Sequence, residues 1–163
     1  MSLEAVRAIA DFQFDGVGSQ LFPDGCVVEI SQSTGRARRV WLNGVLLATV
    51  RPGDGLLSLT MEGGRILAEI MKPPRFRVMV SSEATSMVAE GKSVFSRHVV
   101  EWDRMICPGQ EVLVVGLDGR LLAVGKALLS GLEIGRMSRG VAVKVRSSVG
   151  MVFKERQSGV DES

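Results

Sequence analysis

The stretch SMVAEGKSVF, residues 86–95, comes within one residue of a nucleotide-binding loop. A phosphate-cradling P-loop needs Gly, four intervening residues, then Gly-Lys-Ser or Gly-Lys-Thr. Gly91, Lys92 and Ser93 supply its end, but Ser86 stands where the first glycine belongs. Such a loop also leaves a strand and opens a helix, whose N-terminal N–H groups wrap the anion. Here the order is reversed. Ala84, Met87 and Val88 fall at helical spacing before Gly91, with Glu83 in the first turn, and an extended pattern follows. Order and spacing both exclude NTPase chemistry. What remains is a helix ending at a glycine, with Lys92, Arg97 and His98 arriving within seven residues. A glycine lets another backbone come close, and the cations beside it could meet that backbone's phosphates. Taken alone, the stretch favours the plainer reading, in which Gly91 ends the helix and Lys92 is solvated.

The other reactive residue types form no catalytic set. His98 is the only histidine, so no triad or metal cluster can be built around it; it reads as packed or hydrogen-bonded. Cys26 and Cys107 match no metal spacing and read as buried thiols in a reducing cytoplasm. Glu101 and Asp103 share a face at a strand end, but without a neighbouring base or nucleophile they read as turn-side solubility charges. The chain is therefore read as no enzyme, with no cofactor and no metal.

The elements that must position these residues follow from pattern. Residues 3–10 read as a short helix and 26–31 as a strand. Two apolar runs meet at Asn43-Gly44, the pair preferred in two-residue type I′ hairpins. Residues 56–61 read as another strand, and 63–71 as a helix stopped by Pro73-Pro74, the best domain boundary. Beyond it, FRVMVS is a strand, and SVFSRHVVEW, EVLVVGL, RLLAVGKALL and GVAVKVRS are extended, with a turn at Asp118-Gly119. In the last of these, alternation puts Arg139, Val141, Val143 and Val145 on one face, the valines as core, and Gly140, Ala142, Lys144 and Arg146 on the other. The fold class is α+β: a small α+β domain over 1–74, a mixed β pseudo-barrel with short helices over 75–156, and a disordered tail over 157–163.

Composition agrees with a packed protein. Apolar residues make up 45% of the 163, and no apolar run nears the roughly 18 residues that span a membrane. The start MSLEAVRAIADF carries Glu4 and Arg7 and reads as no secretory signal, so a cytoplasmic protein is expected. Net charge is +2, unevenly spread. Residues 1–74 hold seven Lys/Arg against eight Asp/Glu, and residues 75–156 hold thirteen against eight. A basic excess in one half fits a polyanionic partner.

Several features of the second half coincide in order: Gly-Lys-Ser-Val-Phe at 91–95, Pro-Gly with Glu-Val-Leu-Val-Val at 108–115, Leu-Ala-Val-Gly at 122–125, and Arg-Gly-Val-Ala-Val-Lys-Val-Arg at 139–146. Together they resemble a PUA domain, the small RNA-binding pseudo-barrel of RNA-modifying enzymes. The first half, through Ser33-Thr34-Gly35-Arg36, Arg51-Pro52, Asp54-Gly55 and Gly63-Gly64, resembles the domain preceding PUA in the archaeal tRNA-guanine transglycosylases of archaeosine synthesis. The likeness runs over roughly residues 9–150 and implies an archaeal source. The paired aspartates and cysteine-rich zinc site of those enzymes' catalytic barrel have no counterpart here.

The resemblance implies a tRNA-binding module, alone or as a subunit of a tRNA-modification system, with the second half holding the acceptor stem and 3′ end. With no Tyr, two Trp and six Phe, and no aromatics interleaved with basics, a base-stacking platform is not expected. The expected contacts are Lys92, Arg97, His98, Lys126, Arg139, Lys144 and Arg146, with Gly91 and Gly140 admitting a close backbone; solvated charge is the competing reading for each cation. Phe95 reads as core or as a stack for a terminal base. Lys92→Ala and Arg146→Ala are each expected to weaken tRNA binding without unfolding the protein. Arg36, Arg38 and Arg39 read as a second phosphate site or a charged hairpin. The alternative function is a protein–protein adaptor, in which the first domain docks onto a catalytic partner and RNA binding is vestigial.

Overall fold

The structure, a computed structural model, describes residues 2–161. It divides into two compact units, Met1–Met71 and Lys72–Ser163. No helix among the described residues is long and apolar enough to cross a membrane.

In the first unit, helix α1 (Leu3–Gln13) starts where Ser2 Oγ accepts the Ala5 N–H. It buries Val6 and Ala10, and a short helix α2 (Gly18–Leu21) follows. Four strands then run as an antiparallel meander in the order β1-β2-β3-β4: Val27–Ile30, Ala37–Leu42, Val45–Val50 and Leu57–Leu59. Asn43 and Gly44 both have positive φ (50° and 78°), so β2 and β3 join through the expected type I′ turn. Helix α3 (Met61–Ile70) is capped by Thr60, whose Oγ1 accepts the Gly63 N–H. Phe14, Phe22, Leu21, Leu57, Leu59 and Leu67 fill the core. The Gln13 amide closes the edge of β4, accepting from Leu57 N–H (2.6 Å) and donating to Leu57 O (3.1 Å).

The second unit holds six strands in the order β6-β10-β9-β8-β5-β7. They are β5 (Arg77–Val80), β6 (Val94–Phe95), β7 (Val99–Trp102), β8 (Glu111–Val115), β9 (Leu121–Ala127) and β10 (Val141–Ser148). β5 and β8 pair in parallel and the other neighbours are antiparallel. The outer strands β6 and β7 are joined by a single 3₁₀ turn, Ser96–His98, so the sheet curls into a nearly closed barrel. SVFSRHVVEW is thus two strands broken by a turn rather than one extended run. Helix α4 (Ser82–Ala89), helix α5 (Gly131–Arg136) and helix α6 (Val149–Asp161) complete the unit. Val78, Val80, Val112, Val114, Ala142 and Val143 lie among the core residues.

α5 fills the stretch between two runs read as extended, to which the pattern assigns no element, and opens on a full capping box between Ser130 and Glu133. Two expectations change. Residues 157–161, expected within the disordered tail, continue α6. Its start is tied down by Ser148 Oγ, which donates to Ala89 O (2.8 Å) and accepts from Met151 N–H (3.3 Å), and good helix formers at 154–157 carry it on. Residues 162–163 lie outside the described residues. Finally, the strict alternation expected for β10 fails. Bulges fall between Val141 and Val143 and between Val145 and Ser147, so Ala142 and Val143 are both buried while Val141 and Val145 are half-buried.

Candidate nucleic-acid interface

Gly91 ends α4 in a Schellman motif. With φ at 103°, it donates its N–H to Val88 O (2.9 Å), and Lys92 N–H donates to Met87 O (3.0 Å). A Cβ on Gly91 would meet Met151 Sδ at 2.7 Å. What comes close at this glycine is therefore not a foreign backbone but the Met151 side chain of the chain's own α6. Lys92, one residue on, is exposed.

The next cations gather at the β6 edge. Phe95 is 43% exposed and not core, because its neighbour Val94 takes the inward position. Arg97 lies over the Phe95 ring at 5.5 Å and its Nε donates to His98 Nε2 at 3.4 Å. Phe95 pairs with Val141, and Ser96 N–H donates to Gly140 O, which brings Arg139 and Gly140 to the same edge. Gly140 also has φ of 103°, but a Cβ there would meet nothing within 4 Å. This glycine faces open space.

On the outer face of the sheet, register places Glu111, Lys126 and Lys144 side by side across β8, β9 and β10. Residues directly opposite on neighbouring strands share a face. Lys126 and Lys144 are exposed, and no acidic group is bonded to either among the described residues. Arg146 reaches the same row and grips Glu111 with both amino groups, at 2.6 Å each. The Glu111 side chain is 2% exposed and that of Arg146 36%. Arg146 thus neutralises a buried carboxylate, so Arg146→Ala is expected to cost stability besides any effect on RNA binding. The paired lysines keep a local charge of like sign.

Two further readings are corrected. Asp103 is 3% exposed and holds the start of β5, accepting from Phe76 N–H (2.8 Å), Arg75 Nη1 (2.7 Å) and Met105 N–H (2.9 Å). Burial pushes its carboxyl up, but these hydrogen bonds and the Arg75 charge outweigh it and leave the group below the usual carboxylate range. It is no solubility charge, whereas Glu101 is exposed as expected. Cys107 is exposed rather than buried. Cys26 is half-buried, its thiol pushed up by burial against the opposing pull of Arg7.

In the first unit, Arg39 is paired with Glu29 across β1–β2 at 2.6 Å. Arg36 and Arg38 are exposed and stand apart from that pair.

The fold and these faces define a two-module chain. Residues 4–74 match the patch-forming domain C2 of tRNA-guanine transglycosylase, and residues 76–149 match the PUA domain. In sequence the chain is similar to the tRNA-guanine(15) transglycosylase of Thermococcus kodakarensis, with 43% identity over 144 residues, 88% of this chain and 25% of that enzyme. It is also 45% identical over 148 residues to the enzyme of Pyrococcus abyssi, covering 91% and 25% respectively. The chain therefore spans about a quarter of the length of these archaeal relatives, the quarter that holds the C2 and PUA modules. In structure it resembles a hypothetical protein from Pyrococcus horikoshii, with a TM-score of 0.71 and 23% identity over 90% of this chain and 89% of that one. A conserved PUA domain protein from Thermoplasma acidophilum aligns with a TM-score of 0.63 and 20% identity over 92% of each chain. These two likenesses concern the fold.

Proposed function

We propose that the chain is an RNA-binding module of tRNA modification, and that its second unit holds the acceptor stem and 3′ end of tRNA so that a catalytic chain can act on it. The PUA match and the transglycosylase relatives support this reading. The observation that carries it is the Lys126–Lys144 pair. Two like charges directly opposite on neighbouring strands cost about 0.2–1 kcal/mol, and the nearest acid, Glu111, is occupied by Arg146. An anion laid across β9 and β10 turns that repulsion into attraction. Arg97, Arg139 and the open backbone at Gly140 extend the surface along the β6 edge, with Phe95 as an exposed ring beside them. Lys92 adds charge at the end of α4.

Fluorescence anisotropy of the purified chain with tRNA, with and without its 3′-CCA and at two salt concentrations, tests the proposal. If about four phosphates are neutralised, log K falls against log salt with a slope of roughly −0.7 to −0.9 per phosphate. Binding is expected to weaken when the CCA is removed. Binding indifferent to both salt and CCA would overturn the assignment.

A further inference from the structure

The first unit carries a cationic site that RNA binding by the second does not use. The turns 31–36 and 51–56 lie at the same end of the meander and are built alike. In one, Ser31 N–H donates to Arg36 O and Gly35 N–H to Ser31 O; in the other, Arg51 N–H donates to Leu56 O and Gly55 N–H to Arg51 O. Gly35 and Gly55 have φ of 70° and 72°. Thr34 Oγ1 and Asp54 Oδ1 each accept from the backbone two residues on. Each turn is therefore held by its own backbone bonds, set before any ligand arrives.

Between these turns and Ile9 of α1 lies a groove of about 400 Å³. Its lining joins the apolar Ile9, Ala37, Val50 and Pro52 to Arg36, Arg38 and Arg51; Arg36 and Arg38 are exposed, and Arg51 is half-buried. Among the described residues one carboxylate answers these three guanidinium groups: Asp54 Oδ1 lies 3.2 Å from Arg51 Nε. Arg38 falls at the bulge between the Glu29–Arg39 and Ile30–Ala37 pairings, off the ladder that gives Arg39 its partner. Residues 1–74 have one more acid than base, yet this end of the unit is positive.

We propose that this groove docks an acidic segment of a partner protein, with an apolar side chain against Ile9, Ala37, Val50 and Pro52 and flanking carboxylates on Arg36 and Arg38. Charge complementarity selects an anion, and planar guanidinium groups pair with carboxylates bidentately. The apolar lining favours a protein segment with an aliphatic side chain over base-paired RNA, whose accessible backbone offers only phosphate and ribose.

The test uses the whole chain and a short fluorescein-labelled peptide in which Asp and Glu flank Leu and Phe. A control peptide carries Asn and Gln in place of the acids. The acidic peptide is expected to bind saturably, the control to bind at least about tenfold more weakly, and Arg36→Ala/Arg38→Ala to lower affinity for the acidic peptide about tenfold. Both arginines are exposed, so the double variant keeps the fold, and its tRNA affinity is expected to match wild type. No saturable peptide binding, or binding unaffected by the double substitution or by the control peptide, overturns the proposal. So does loss of tRNA affinity in the double variant together with displacement of the peptide by tRNA, which would give the groove to RNA. Failure of tRNA binding by the unsubstituted chain bears on the proposed function alone.

Discussion

Lys144 and Arg146 stand two residues apart on β10, and both reach the outer face of the sheet. Arg146 is locked to a carboxylate that is almost wholly buried, whereas Lys144 faces a second lysine across the ladder. The first unit repeats the contrast in Arg39, bonded to Glu29, and Arg38, open at the groove. Gly91 and Gly140 repeat it without charge: both have φ of 103°, but one is covered by Met151 and the other faces open space. Residue type gives what a side chain can do. The partner already bonded or packed against it decides whether it is free to do so.

The largest expected effect breaks the committed side of the comparison. Arg146→Ala leaves Glu111 charged and buried, and urea denaturation should read a loss of about 3 kcal/mol. Glu111→Gln combined with Arg146→Ala should recover part of it, since no buried charge is then left alone. If Arg146→Ala is as stable as wild type, Arg146 belongs with the open cations after all.

Next comes Asp103→Asn, expected to cost about 2 kcal/mol through weakened bonds to Arg75 and the backbone. It also changes the pH dependence. The folded Asp103 carboxyl titrates below its unfolded value of about 3.9, so its contribution is present above that pH and is lost as pH falls through the folded pKa. Acid unfolding curves of Asp103→Asn should accordingly be flatter than wild type below about pH 4. Curves of equal steepness would remove Asp103 as a source of acid sensitivity.

The glycine pair gives a smaller, differential effect. Both Gly91→Ala and Gly140→Ala place a side chain at positive φ, at about 1 kcal/mol each. Only Gly91→Ala also drives a methyl into Met151, so its melting temperature should fall further. Trimming Met151 to Ala should bring the two closer.

The smallest effect on stability is the most telling for function. Lys144→Ala should leave stability within about 0.5 kcal/mol of wild type, because it removes a repulsion rather than a bond. It should weaken tRNA binding and lower the salt slope by about 0.7 to 0.9. An unchanged slope would take Lys144 off the interface.

Much of this architecture is legible from local chemistry. Asn43-Gly44 dictates its turn, Pro73-Pro74 follows the end of α3, and the apolar runs of β5, β8 and β9 are too rich in branched residues to be mistaken. α5 had a local signature as well, the Ser130–Glu133 capping box, masked by the apolar run before it. The site is less legible because its partnerships are not local. Glu111 lies 35 residues from Arg146 and Asp103 lies 28 from Arg75, and nothing in either neighbourhood announces the other. The β10 bulges likewise shift which side chains point inward, and alternation alone carries no trace of them. The twin turns around the arginine groove are written in Ser-Thr-Gly-Arg and Gly-Asp-Gly, but that they stand side by side follows only from the meander.

The short link between β6 and β7 has a consequence for crowded solutions. A flat sheet of six strands would present two rows of unpaired backbone groups, each a template for a strand from another molecule. Here the outer strands are two and four residues long, and the chain itself turns from one directly into the other. The barrel thereby denies neighbouring molecules a long edge to extend, so a surface that keeps open cations for a polyanion need not also be a site of aggregation.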